Sequence, residues 1–238
     1  MCTVVIRWAP GHPVRILALR DELASREFDL PDSWWPDQPS VVGGRDRSAG
    51  GSWCVTDVDA GVTAVVLNRP ERRTALPGAP SRGLLPLLAV RAGPAWRDEI
   101  GLAPMASFNL VLVTPQSVQW WAFDGAALVE ERLGAGTWMF TPRGRRTHPL
   151  DPRLLAEDAR TAWRDVVAAA VPSPDPTDGL VVQHPIGDDS YETVFGQVLL
   201  TRPQWMRLDY LRAVARNPGG AWSTQTWACT TGKLSRGQ

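Results

Sequence analysis

The second residue of the chain is a cysteine, in the run Met1-Cys2-Thr3. Initiator methionine is usually trimmed when a small residue follows, and trimming here exposes Cys2 with a free α-amino group. A thiol and an α-amine both titrate near neutrality, the amine at the lower pH. The amine can therefore take the thiol proton, and one residue supplies both nucleophile and base. The other reading is a cysteine without a role at the start of a buried strand. Position alone favours that second reading.

A nucleophilic thiolate wants a cation nearby, and an ammonium group wants an orienting acceptor. Arg20-Asp21-Glu22 offers both, provided the chain folds back correctly. Thr3–Trp8 and Val14–Leu19 are apolar and β-branched, and Ala9-Pro10-Gly11-His12-Pro13 between them reads as a hairpin loop. If Trp8 pairs with Val14, paired positions sum to a constant. Cys2 then stands opposite Arg20, with Asp21 next along, and paired residues share a face of the sheet. In this register Arg20 lowers the thiol pKa and Asp21 orients the ammonium. A bulge would spoil the register, and the alternative for Arg20-Asp21-Glu22 is a solvated charge cluster ending a strand.

Other residues could complete the chemistry. Asn68 and Asn109 carry uncharged amides that can donate to a developing oxyanion; turn and strand-edge capping are the alternatives. Arg69 and Arg82 could hold a substrate carboxylate or phosphate, or be ordinary loop arginines. Trp53 follows Gly50-Gly51-Ser52 within an apolar strand; it is expected to be buried beside the first hairpin and to line the substrate cleft. Gly43-Gly44 and Gly50-Gly51 are not a phosphate loop, since no Lys-Ser/Thr follows. They are expected to form tight turns around Arg45-Asp46, which would close over the cleft. Arg143, Arg145 and Arg146 read as a basic spot on a solvated loop.

The elements that must position these groups are mostly strands. Asp21–Asp46 is polar and Pro-rich and reads as a long irregular excursion. Gly51–Thr56 and Val62–Leu67 form a second hairpin, and Phe108–Thr114 with Val118–Phe123 a third. Asp124-Gly125 turns into a strand near Leu128–Glu131. Arg82–Arg91 and Trp96–Gly101 are short helices. Asp151-Pro152 begins a longer one, with Leu155, Ala159, Trp163, Val166 and Ala170 on one face, running to about Val171. Ser173–Gly179 is a surface loop, and Tyr191–Thr201 and Gln204–Leu211 are late strands. The pattern is α+β with antiparallel sheets in one domain over 1–238, not an alternating βαβ series.

Composition narrows the function. The 238 residues include 25 basic and 25 acidic side chains, which argues against bulk electrostatic binding to nucleic acid or anionic membrane. Twelve tryptophans suit a core or an apolar cleft. Cys2, Cys54 and Cys229 make no disulfide framework or zinc motif, and no disulfide is expected among them. His12, His148 and His184 are scattered, so neither metal nor cofactor is called for. No leader and no apolar run of membrane-spanning length is seen, and a soluble cytoplasmic protein is expected. A small-molecule or acyl ligand in a cleft is the expected partner; oligomeric state is not legible.

Taken in order, Met1-Cys2-Thr3, Arg20-Asp21-Glu22, Gly43-Gly44-Arg45-Asp46, Gly50-Gly51-Ser52-Trp53, Asn68-Arg69, Ser81-Arg82-Gly83 and Phe108-Asn109-Leu110 resemble the NRDE family. This family includes the transport-and-Golgi-organisation homologues, and its fold is similar to that of N-terminal-nucleophile hydrolases. Beyond about residue 125 the resemblance thins to Tyr191-Glu192-Thr193-Val194-Phe195. It implies a four-layer αββα sandwich and a hydrolase of a linear amide or acyl compound, with Cys2 as nucleophile after Met removal. It also implies two alternatives: a non-catalytic carrier of an apolar ligand such as an acyl lipid or haem, and a protein that keeps only the fold. Leu19 stands where the signature has Asn, which removes a polar group expected beside the nucleophile. Phe140-Thr141-Pro142 replaces a small polar patch. Cysteine amidases of the bile-salt-hydrolase branch also begin Met-Cys-Thr. Their Asp matches Asp21, whereas Arg20 is adjacent to it and not three residues earlier.

Overall fold

A computed structural model describes residues 2–72, 74–147, 151–155, 159–175, 179–213, 222–230 and 233–236. The strands of the first half are β1 (Cys2–Trp8), β2 (Val14–Leu23), β3 (Phe28–Asp32), β4 (Val41–Asp46), β5 (Cys54–Asp57) and β6 (Val62–Asn68). Helix α1 (Leu84–Ala92) and a 3₁₀ segment (Gly93–Asp98) follow. Then come β7 (Phe108–Thr114), β8 (Ser117–Phe123), β9 (Leu128–Leu133), β10 (Gly136–Thr141) and β11 (Gly144–Arg146). A 3₁₀ turn (Pro152–Leu155) and α2 (Ala159–Ala168) precede β12 (Gln183–Ile186), β13 (Asp189–Arg202), β14 (Trp205–Ala213), β15 (Trp222–Thr230) and β16 (Lys233–Arg236).

Among the described residues these strands make two sheets, and adjacent strands in both are antiparallel. One has nine strands, in the order β11-β10-β1-β2-β13-β14-β15-β16 with β12 on β13; the other has seven, β3 to β9 in sequence order. The sheets pack face to face. Val4, Ile6, Ile16 and Ala18 from the first meet Val65, Leu67, Val111 and Val113 from the second. The intervening residues Val5, Leu17 and Leu19 point the other way, against Trp163, Val166 and Val167 of α2. This is why β1 and β2 read as continuous apolar runs: both of their faces are covered. On the far side of the second sheet, Ala64, Val66, Leu110 and Leu112 pack on Leu85, Leu87 and Val90 of α1 and on Trp96. Trp96 and Trp163 are completely buried. Truncating either would cost about 3–5 kcal/mol. No helix among the described residues is long and apolar enough to cross a membrane.

Several expected elements are corrected. The 21–46 stretch is not an irregular excursion: β2 runs on to Leu23, and β3 and β4 complete the edge of the second sheet. Residues 143–146 are not a solvated loop but belong to the β10–β11 hairpin, which turns at Pro142-Arg143 and starts β11 with Gly144 at φ 95°. Its Arg145 lies over the Trp138 ring at 5.4 Å and bonds Glu131 at 2.8 Å. Of the helix expected from Asp151 to about Val171, the described residues show the 3₁₀ turn and α2, which ends at Ala168. Cys54 is buried and takes part in no disulfide. The packing of Leu155 and Ala159, and any pairing of Cys2 with Cys229, lie outside the described side chains.

Candidate functional site

The β1–β2 ladder has the constant-sum register that the hairpin loop dictates: Cys2 opposite Arg20, Thr3 opposite Leu19, Val4 opposite Ala18, with no shift along its length. A bulge does occur, but on the other side of β2, where β13 slips between Thr193 and Phe195 against Asp21 and Arg20. Bulges of this kind re-aim side chains next to a site.

Arg20 is only 3% exposed. A buried guanidinium costs several kcal/mol unless its charge and donors are met. Here its Cζ lies 4.7 Å from the centre of the Trp53 ring and 5.0 Å from that of Phe28. One Nη donates to Asp46 Oδ2 at 3.2 Å, and Glu22 stands 4.0 Å away. Trp53 is buried as expected, meeting Phe28 and Phe195 edge-on at 5.5 and 5.8 Å.

The glycine pairs make this packing possible in different ways. Gly43 and Gly44 lie within β4 and form no turn, which corrects the expectation for them. A methyl group on Gly44 would overlap the six-membered ring of Trp53, and one on Gly43 would sit 2.5 Å from the Cys54 carbonyl oxygen. Gly50 does turn, at φ 69°, and Gly51 presses so closely on Gly83 that a Cβ would come within 2.5 Å of its backbone. Ser52 N–H donates to the Gly83 carbonyl at 2.9 Å, which fixes Ser81-Arg82-Gly83 beside Trp53. Three short sequence blocks thus interlock around one arginine.

Asp46 gathers the local cations. Arg26 Nε donates to it at 2.8 Å, and Ser48 donates from both its hydroxyl (2.7 Å) and its backbone N–H (3.1 Å). Burial alone would raise its pKa, but the Arg26 and Ser48 hydrogen bonds hold it down at about 2. Arg45, by contrast, turns away. It pairs with Asp29 at 2.6 Å and stacks on Trp34 at 4.6 Å, so it does not close over the cleft.

Asp21 is 4% exposed and behaves oppositely. Desolvation pushes its pKa up from 3.8 to about 6, despite a 2.6 Å hydrogen bond donated by the Thr193 hydroxyl. The Tyr191 hydroxyl donates to its backbone carbonyl at 2.8 Å. A carboxyl that titrates near pH 6 beside a cavity is a typical functional-site property.

That cavity holds about 250 Å³ and is lined by Arg20, Asp21, Glu22, Arg26, Asp46, Ser52, Trp53, Asn68, Ser81 and Arg82 among others. Asn68 sits at the end of β6, and its side-chain amide makes no hydrogen bond among the described residues. Arg82 donates to the Ser107 carbonyl at 3.0 Å while reaching the cavity wall. Arg26 was not singled out by sequence reasoning, and Glu22 and Asp46 entered it only as parts of Arg20-Asp21-Glu22 and Gly43-Gly44-Arg45-Asp46.

Two expected site residues are placed elsewhere. Asn109 is fully buried; its amide N–H groups donate to the carbonyls of Thr141 (3.2 Å) and Pro142 (3.3 Å), and its oxygen accepts from Arg69 and Trp120. It ties β7 to the β10–β11 hairpin, one sheet to the other, and its donors do not point into the cavity. Arg69 is held by Glu71 and Asn109 and does not line the cavity either. Leu19 also differs from expectation. It faces the α2 layer with Val5 and Leu17, opposite Gly196, where any Cβ would come within 2.8 Å of its methyl group. Leucine at this position therefore fills a core gap over a glycine and takes no polar group out of the cavity.

All these cavity residues fall within the first half of the chain. A family model described as Transport and Golgi organisation 2 matches residues 1–123. None of the curated proteins matches the chain.

Proposed function

The chain belongs to the Transport and Golgi organisation 2 family, and from that premise we propose that it is an N-terminal-nucleophile hydrolase of a linear amide or related acyl compound. The observation that carries the proposal is the strand register that sets Cys2 opposite Arg20, a buried residue that lines a charged cavity together with Asp21, whose pKa is about 6. The helix–sheet–sheet–helix order supports kinship with the four-layer αββα fold. The late strands that complete the first sheet support reading the whole chain as one domain.

In this mechanism, removal of Met1 frees the α-amine of Cys2. The amine takes the thiol proton and the sulfur attacks the substrate carbonyl carbon, moving the C=O π pair onto oxygen. The Asn68 amide, which makes no hydrogen bond among the described residues, donates to that oxyanion. Collapse expels the amine leaving group, which takes the proton held on the α-ammonium. Water then attacks the thioester through the same amine and releases the acid. The fixed charge of Arg20 favours the thiolate, and Asp21 as carboxylate orients the ammonium. Arg82 is the anchor for a substrate carboxylate. The ionic lining supports a polar substrate over carriage of an acyl lipid or haem, whose apolar surface would meet charged groups.

Labelling with a thiol-directed acylating probe, followed by peptide mapping, tests the proposal. The trimmed protein should label at Cys2. Cys2→Ala should not label, and neither should a form in which a bulky residue inserted before Cys2 blocks trimming, because an amide nitrogen cannot take the thiol proton. Equal labelling of the blocked and trimmed forms would refute the mechanism.

A further inference from the structure

The late stretch Tyr191-Glu192-Thr193-Val194-Phe195 lies outside the lining of the cavity, yet it reaches Asp21 from the edge of β2 that faces away from β1. Thr193 stands directly opposite Asp21 in the β13–β2 ladder, so the two side chains share a face. The bulge follows at once. Had the ladder kept its first register, Val194 would stand opposite Arg20; the extra residue brings Phe195 there instead. Phe195 meets Phe28 and Trp53 at 5.7 and 5.8 Å, the two rings that flank the Arg20 guanidinium. One slipped residue thus lets β13 give Asp21 a hydroxyl and the Arg20 cage an aromatic ring.

The direction of that hydroxyl is fixed by the backbone. A threonine oxygen carries one hydrogen and accepts through two lone pairs. The Val182 N–H donates to Thr193 Oγ1 at 2.9 Å, and the Thr193 N–H donates back to the Val182 carbonyl at 2.9 Å. Val182 is itself held on both sides. Ser173 N–H donates to the Val181 carbonyl at 2.8 Å, and Gln183 N–H donates to the Ser173 carbonyl at 2.9 Å. Leu180 and Val181 pack with Leu17, Leu19 and Trp163. With a donor settled on one side of Oγ1, the hydroxyl hydrogen is directed to Asp21 Oδ1 at 2.6 Å. That length is typical of an O–H donor to a charged oxygen. Thr193 is only 3% exposed, so water does not compete for the bond.

The hydrolytic mechanism needs Asp21 as a carboxylate in one orientation, whereas enclosure favours the neutral carboxyl. A donor that cannot rotate away favours the charged form and pins one of its oxygens. We propose that Thr193 is the positioning residue for Asp21: its hydroxyl, aimed by the Val182 N–H, fixes one carboxylate oxygen and so orients the acceptor for the Cys2 ammonium. The catalytic part of this proposal rests on the hydrolytic reading; the link between Thr193 and Asp21 does not.

Thr193→Val removes the donor and nearly keeps the shape, while Thr193→Ser keeps the donor. The charged groups around Asp21 are the same in both: Arg20 and Glu22 on β2, Glu192 on β13, the amino terminus ahead of β1, and Arg26 and Asp46 in the cavity lining. Carbon-13 NMR of aspartate-labelled protein, followed against pH, reads the Asp21 carboxyl directly. Its midpoint should rise by about one pH unit or more in Thr193→Val and return to the wild-type position in Thr193→Ser. The low-pH limb of Cys2 labelling by the acylating probe should move with it. A second measurement needs no variant and decides the matter if Thr193→Val does not fold. In the wild type, the Val182 amide resonance should titrate with the Asp21 midpoint, through the hydroxyl they share. An Asp21 midpoint common to wild type and Thr193→Val, a labelling limb that stays while that midpoint moves, or a Val182 resonance blind to the titration would overturn the proposal. If wild-type Cys2 labels at no pH while the Asp21 midpoint moves as expected, the hydrolytic reading fails and the positioning of Asp21 by Thr193 stands.

Discussion

Replacing Asp21 with Asn should make the protein more stable at neutral pH and catalytically silent. The carboxyl is enclosed, and burial raises its pKa from 3.8 to about 6. One pKa unit corresponds to ~1.36 kcal/mol, so this rise amounts to about 3 kcal/mol of destabilisation once the group is ionised in the folded state. The sign follows from which state ionises first. Below about pH 4 both states hold the proton and the penalty is absent. Between about 4 and 6 the unfolded chain releases its proton while the folded one keeps it, so stability falls as pH rises. Above 6 the full penalty persists. Asparagine keeps an oxygen that can accept from Thr193 and carries no charge. The stability gain of Asp21→Asn should therefore be near zero at pH 4 and approach about 3 kcal/mol at pH 7.5. Urea unfolding across that range reads it directly as a shift in midpoint at constant m-value. A gain that does not depend on pH, or a loss at pH 7.5, would show that desolvation of Asp21 is not the dominant effect. In the wild type, probe labelling at Cys2 should also decline as pH falls through 6, as the orienting carboxylate is protonated.

Gly44→Ala should destabilise by about 1–3 kcal/mol, because its methyl group has to displace Trp53; the change should appear in tryptophan fluorescence as well as in the urea midpoint. Asn109→Ala should cost about 1–3 kcal/mol by leaving the Thr141 and Pro142 carbonyls unmet, yet leave the Cys2 labelling rate of the folded fraction unchanged. Asp46→Asn should lower stability at pH 7 by about 1–2 kcal/mol after discounting for its partial exposure; since the wild-type pKa is held at about 2, the difference should vanish as pH falls from about 4 to 2. Leu19→Asn, which restores the family signature, should cost about 2–5 kcal/mol in thermal or urea unfolding and should not raise labelling, because the position faces the α2 core.

The parts of the site legible in the sequence are those set by local rules. A Pro/Gly loop between two β-rich runs suffices to place Cys2 across from Arg20, because antiparallel register is arithmetic once the turn is known. The 21–46 segment failed for a local reason too: β4 is Val41-Val42-Gly43-Gly44-Arg45-Asp46, and its glycines erase the alternation that marks a strand. They are glycines because Trp53 and Val55 occupy the space, which only the folded neighbour reveals. Asn109 looked like a site amide because its role is decided by carbonyls 32 and 33 positions later. Asp21 could be named from sequence, but not its raised pKa, since enclosure comes from the folded chain and its Thr193 partner lies 172 residues away. The signature position Leu19 misled for the same reason: side-chain direction along β2 alternates, and its neighbour Arg20, not Leu19, faces the cavity.

The place of the first hairpin within its sheet has a consequence for synthesis on the ribosome. β1 and β2 emerge well before their flanking partners β10 and β13, which are encoded at Gly136–Thr141 and Asp189–Arg202. At about 5–20 residues per second, the hairpin waits on the order of ten seconds or more before its second edge is covered. During that interval two apolar strands present unpaired edges, while the strands of the second sheet can zip together one after another as they appear. The nascent chain is thus expected to depend on holdase chaperones at its amino-terminal hairpin. The environment of Asp21, which β13 closes, is assembled only after Asp189–Arg202 has been made, so a growing chain carries its nucleophile without the machinery to use it.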